Sequence, residues 1–326
     1  MRIRQTLPRL VLMGIAALAF SGESARGQSQ YPSQNVNLLV ASAAGGITDI
    51  VARLVWQKVG EKFGQTVVVE IRAGSGGNLA ARAVSAAAAD GYTILATTTA
   101  IAINETAYKN KGYATEDLRP VGIVAFSPDV VAVNPSNPAK TFAEYIANGR
   151  QKSFTYATAG VGTAAHIGAE YLFKEISKIE AVHVPYTGGA PALTAVLGNH
   201  VDSLVLAMPV VTPYLVDGRL RGLALSSATR STAAPMVPTY AEAGIPNFQS
   251  GTWVGFFVPA KTPDAVVRKL NQTLNESMEL PAIRERLASL GLVPMTRSQA
   301  DTEAYFKNEL GNWSKMVRAV GLAGSN

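Results

Sequence analysis

The chain contains no cysteine. That excludes disulfides, thiolate metal sites, cysteine nucleophiles and a lipid anchor on cysteine. Histidine occurs three times, at His166, His183 and His200, with no pair at metal-ligand spacing, so no histidine metal centre is expected. Charged residues are scarce, 16% of 326 against 48% hydrophobic. That composition argues against disorder and permits a sizeable core. There is no Lys/Arg block of the kind that marks a nucleic-acid or membrane patch. After residue 20 no apolar run is long enough to span a bilayer.

The opening residues are different. Arg2, Arg4 and Arg9 precede an apolar run, 10–20, too short to cross a membrane, and Ala25-Arg26-Gly27 follows with small residues where a signal peptidase reads. Residues 1–27 are therefore read as a signal peptide cleaved near Gly27, with export to the periplasm. This leader carries four basic residues (Arg2, Arg4, Arg9 and Arg26) and one acid (Glu23), so the net charge falls from +6 to +3 without it.

Beyond the leader, buried strand patterns alternate with helical ones. Residues 36–41 read as a strand, 48–62 as a helix, 66–70 as a strand, 78–88 as a helix and 92–97 as a strand. Further strands are expected at 130–133, 155–157, 181–184 and 203–206. This order implies parallel-rich sheets covered by helices, an α/β fold. Near the C-terminal end, Thr262 is expected to cap a helix with Pro263 as its first residue, and Ser298 with Asp301 resembles a capping box. Two extended apolar segments, 125–133 and 251–258, look like crossings between domains. The expected organisation is residues 28–127 with 254–326 as one domain and 128–253 as a second, with ligand sites at the carboxyl ends of the strands.

Three loops share one design: a strand, a glycine-rich turn and a helix start. The first holds Ser42, Ala44, Gly45, Gly46, Thr48 and Asp49. The second holds Gly160, Gly162, Thr163 and His166. The third holds Tyr186, Gly188 and Gly189. Helix-start amides lack internal partners and sit at the positive end of the helix dipole, so such loops suit an anion. None of them contains Lys or Arg, so amides and hydroxyls would have to hold that anion, in a form that can be released. Asp49 reads more as a partner for first-turn amides than as a catalytic acid. His166 reads equally as a packed polar residue or a pocket neighbour. An enzyme is the other reading. Gly160-x-Gly162-x-x-Ala165, with Glu180 downstream, matches a relaxed dinucleotide fingerprint, but Thr163 and His166 would crowd a pyrophosphate.

The order and spacing of AAGGITDIVARLV (43–55), VVVEIRAGSGGNLAARAV (67–84), YATAGVGTAAHIGAEYLF (156–173) and VHVPYTGGAPALTAVLGNHVD (182–202) resemble the Bug family. These are TctC-like periplasmic solute-binding receptors of tripartite tricarboxylate transporters. The resemblance implies a two-domain, type II-like Venus flytrap hinged on two crossover segments. It also implies a small-carboxylate ligand, no cofactor, no catalytic or metal residues, a monomer, and delivery to a TctA/TctB-type membrane pair. The enzyme or sensor-partner alternative uses the same fold. Where the family usually has proline then an aromatic residue, this chain has Ala41 and Ser42. A wider pocket is expected, with an aromatic dicarboxylate of the terephthalate kind as ligand and a linear dicarboxylate as runner-up.

Overall fold

The computed structural model describes residues 31–325, so the leader lies outside the described residues. In chain order the elements are β1 (Val36–Val40), α1 (Ile47–Phe63), β2 (Val67–Ile71), α2 (Asn78–Ser85), β3 (Thr93–Thr98), α3 (Ala100–Ala107), β4 (Leu118–Val133), α4 (Phe142–Gln151) and β5 (Phe154–Thr158). Next come α5 (Ala164–Glu170), β6 (Ala181–Pro185), α6 (Gly189–Leu197), β7 (Ser203–Ala207), α7 (Met208–Val216), β8 (Arg221–Leu225) and β9 (Gly251–Pro259). The chain ends with α8 (Asp264–Met278), α9 (Pro281–Ser289), β10 (Val293–Pro294) and α10 (Gln299–Ala319). No helix among the described residues is long and apolar enough to cross a membrane.

The strands join in the order β2-β1-β3-β9-β4-β7-β5-β6, with β8 and β10 also on β4. Within each half the three strands followed by helices are parallel, while β4, β8, β9 and β10 pair antiparallel. The sheets are therefore mixed, with a parallel part at each end. β4 joins them. Its residues from Leu118 to Pro128 pair with β9, and from Asp129 to Val133 it pairs with β7 and β8. A single strand thus serves two sheets.

The two sheets have apolar faces because strands such as β1 (VNLLV) and β7 (SLVLA) are rich in Val and Leu. Val36, Leu38 and Val40 of β1 pack with Val51, Val55 and Trp56 of α1, and Trp56 meets Phe256 edge-on at 5.3 Å between ring centres. In the second half, Ala157 and Leu204 pack with Leu193 and Val196 of α6. On α8, Val267, Leu270, Leu274 and Met278 are fully buried, while Val266, on the same apolar stripe in the sequence, is half-buried. One expectation fails at that helix. Pro263, with extended ψ, is itself the N-cap residue and Asp264 the first helical one, so Thr262 does not cap. A proline before the first turn keeps its own carbonyl free to accept from Val266 and Val267, at 2.9 and 3.1 Å. Ser298 does cap α10, accepting from the Asp301 amide at 3.2 Å and donating to its carboxylate at 2.6 Å.

Candidate functional site

Parallel strands send their C-terminal loops to a common edge. β1, β2 and β3 therefore deliver residues 41–46, 72–77 and Thr99 to one edge of the first sheet, and β5 and β6 deliver 159–163 and 186–188 to one edge of the second. Neighbouring loops touch. A side chain added at Gly77 would lie 3.3 Å from the Ala41 methyl. Tyr186 and Gly188 donate their amides to Thr158 and Ala159 carbonyls, both at 3.1 Å.

Asp49 builds the first loop from within. It is 5% exposed, and its two carboxylate oxygens accept from the Gly45 amide at 2.9 Å and from Arg53 Nε at 2.7 Å. Both oxygens are thus engaged, and the carboxylate holds the turn while Arg53 balances its charge. Gly45 has φ +76°, and a β-carbon there would touch nothing. Thr48 is buried, Ala44 exposed, and half-buried Ser42 donates to the Ala43 carbonyl at 3.4 Å. Gly46 is the N-cap residue of α1 and provides no side-chain cap, so the amides of Ile47, Thr48 and Asp49 begin the helix without intrahelical partners.

The second loop is held by its own helix. Thr163 caps α5, accepting from the His166 amide at 3.3 Å and donating to the Gly160 carbonyl at 2.8 Å. His166 Nδ1 accepts the Gly162 amide at 3.1 Å, so its proton is on Nε2. The ring is 6% exposed and stacks on His183 at 3.9 Å. His183 in turn lies on Tyr156 and meets Thr158 Oγ1 at 2.7 Å. Burial lowers both histidines. His166 falls below its usual value, helped by the Lys174 charge and opposed by Glu170, and His183 is pulled down to about 4 by burial and by His166. Burial alone would raise Glu170, but hydrogen bonds from Lys174 and Tyr156 outweigh that and hold it low. His166 thus packs beneath the loop and accepts its Gly162 amide. Gly162 and Gly188, with φ +78° and +123°, border open space.

A cavity of roughly 330 Å³ lies between the two sheets. Val161, Gly162, Thr163 and Ala164 of the second loop form one wall. Gly76, Thr98, Thr99 and the α3 residues Asn104 and Tyr108 form the other, and Thr252 of β9 also lines it. No Asp, Glu, Lys, Arg or His lines it. The first and third loops flank this cavity without lining it. Larger hollows, roughly 650 Å³ beside Arg221 and 420 Å³ beside Trp313, lie away from the glycine loops. The α3 wall was not expected from the sequence. Its signal was Thr97-Thr98-Thr99-Ala100, a strand end running directly into a helix with no glycine to mark it.

The sequence profile described as tripartite tricarboxylate transporter family receptor, TctC, matches residues 51–322. The chain belongs to the TctC family. Among its relatives, protein BugT of Bordetella pertussis is 32% identical over 296 residues, covering 89% of this chain and 90% of that protein. R. palustris Rpa4515, solved with adipate, is 32% identical with a TM-score of 0.77, over 90% of this chain and 99% of that one. MatC (Rpa3494) from Rhodopseudomonas palustris, solved with bound malate, is 28% identical with a TM-score of 0.72, over 88% of this chain and all of that one. The TctC fold is a two-domain α/β fold, as the sequence led us to expect, and its sheets are mixed, with the expected parallel strands confined to one part of each half.

Proposed function

We propose that this protein is an exported, monomeric periplasmic receptor that captures a small carboxylate between its two domains and presents it to a TctA/TctB-type membrane pair. The observation that carries this reading is the uncharged cavity bounded by a capped glycine loop from one sheet and a polar wall from the other. Such a site offers donors but no acid–base pair, which favours capture and release over catalysis. Ser42, Ala44, Gly45, Gly46, Thr48 and Asp49 shape the proposed first-loop contact. Gly160, Gly162, Thr163 and His166 shape the second, and Tyr186, Gly188 and Gly189 the third. We place the domain boundaries at 127/128 and 253/254, beside the point where β4 changes partners. Charge-assisted bonds contribute about 1.5–3 kcal/mol each, so three to five, less ordering costs, give roughly −8 kcal/mol and micromolar affinity.

An aromatic dicarboxylate is the candidate suggested by Ser42. The adipate and malate of the two solved relatives favour a linear carboxylate instead. A thermal-shift screen tests the general reading. A carboxylate at 100 times its Kd should add about 2.7 kcal/mol to the native state and raise Tm. The Gly162→Asp variant, which places a carboxylate in the anion loop, should bind at least 30-fold more weakly. Gly162→Asn, with the same backbone demand and no charge, should stay within a few-fold of the unmodified protein. If no carboxylate raises Tm, the reading fails. Equal binding by the Asp and Asn variants would remove the second loop from the site.

A further inference from the structure

The cavity wall opposite the second loop bears on ligand choice, an inference that rests on the carboxylate reading above. Asn104 lines the cavity and is 5% exposed. Its Nδ2 donates to the Gly76 carbonyl at 2.9 Å and to Asn78 Oδ1 at 3.0 Å. A backbone carbonyl can only accept, so Gly76 fixes which way the amide points. Asn104 Oδ1 is left as a bare acceptor with no donor from the protein. That oxygen opens to the cavity, so a ligand can reach it and supply the donor that the protein does not.

The neighbours complete the pattern. Thr98 Oγ1 accepts from the Ala100 amide at 3.3 Å, which leaves its own proton free to donate. The Tyr108 hydroxyl stands beside Gly76, 3.0 Å from where a side chain there would begin, and it too can donate or accept. No cation lines this wall to neutralise a carboxylate, and no anion lines it to balance an ammonium. A carboxylate oxygen facing Asn104 Oδ1 would set lone pair against lone pair. A hydroxyl meets all of these demands. We propose that Asn104 makes this receptor selective for hydroxycarboxylates, with the ligand carboxylate toward the second-loop amides and its hydroxyl donating to Asn104 Oδ1. Any second carboxylate then has to lie away from Asn104.

Calorimetry on the mature full chain with two matched pairs tests this: malate against succinate, and 3-hydroxybutyrate against butyrate. Each pair differs by one hydroxyl. The hydroxylated member should bind about tenfold more tightly in both. In Asn104→Ala the ratio should fall to within twofold of one, while the unhydroxylated member keeps its affinity within a few-fold. Because Asn104 also holds Gly76, the variant's unfolding transition is measured alongside. Equal affinities within both pairs for the unmodified protein overturn the proposal without recourse to any variant, and leave the carboxylate reading intact. A preference that survives Asn104→Ala overturns the role of Asn104. Failure of all four to bind overturns this inference, while the carboxylate reading stands or falls on the wider thermal-shift screen.

Discussion

Asp129→Asn is expected to make the protein's stability much less sensitive to rising pH. Asp129 is where β4 passes from one sheet to the other, and it is 1% exposed. Its Oδ2 accepts from Ser250 Oγ at 3.3 Å, its Oδ1 has no partner, and its amide donates to Ser226 Oγ at 2.8 Å. Burial pushes its carboxyl up from 3.8 to about 7, against the pull of the Ser250 bond. The folded value thus lies above the unfolded one. Between about pH 4 and pH 7 the folded chain keeps a proton that the unfolded chain has released, so stability drops as pH rises through that window. About three units correspond to a ceiling of roughly 4 kcal/mol.

The buried histidines act in the opposite direction. His183, lowered to about 4, and His166, also lowered, contribute stability that is lost as pH falls below the ordinary histidine range. Those contributions are common to both proteins and cancel in a comparison. Urea unfolding of the two proteins at several values from pH 4 to pH 8 isolates Asp129. The variant's advantage should grow by about 3 kcal/mol across the range, whatever constant offset the new amide introduces. A difference that does not change with pH would show that Asp129 is ionised in the fold.

The same residue shows what the sequence conceals. The glycine loops were legible because each combined a buried strand, a glycine turn and a helix start, all local in sequence. The existence of two crossing segments was legible from their apolar, extended character. That 118–133 forms one strand was not, because Pro120 and Pro128 argue against an unbroken strand. Pro120 sits at a register irregularity opposite β9, a second lies between Ile123 and Ala125, and Pro128 falls where β4 leaves β9 for β7. Nor does an Asp inside an apolar run announce that Ser226 and Ser250, far along the chain, come to meet it.

The site divides in the same way. Asp49 and Thr163 act through residues three or four positions away, and those contacts follow from helix geometry. Asn104 acts through Gly76, 28 residues earlier, and Thr99 through Gly251 and Trp253, about 150 later. Such pairs exist only once the sheet order is known. His166 was undecided in the sequence because its backbone position, one turn into a helix beside a loop, suits either role. In the structure it stacks on His183 and accepts the Gly162 amide, contacts that the sequence does not show.

Gly251→Ala is expected to be the most damaging single-methyl change at the hinge. Gly251 opens β9 opposite Pro128 and has φ +150°. A β-carbon there would lie 2.5 Å from the Ser127 carbonyl oxygen and 2.7 Å from the Phe126 ring. The oxygen belongs to the backbone of β4 and cannot swing aside. Relief requires the two crossing strands to separate just where both domains depend on their register. Backbone strain of about 1–3 kcal/mol and overpacking of about 1–3 kcal/mol give a loss of roughly 2–6 kcal/mol. That is a large share of the stability of an ordinary domain. Gly45→Ala is the matched control. It shares the positive φ, at +76°, but its new methyl meets nothing, so it should lose only about 1–2 kcal/mol from strain. Thermal unfolding of both variants makes the comparison. If Gly251→Ala loses no more than Gly45→Ala, the two crossings are not locked together at Ser127. In that case the hinge tolerates a wider separation than the contact between β4 and β9 allows.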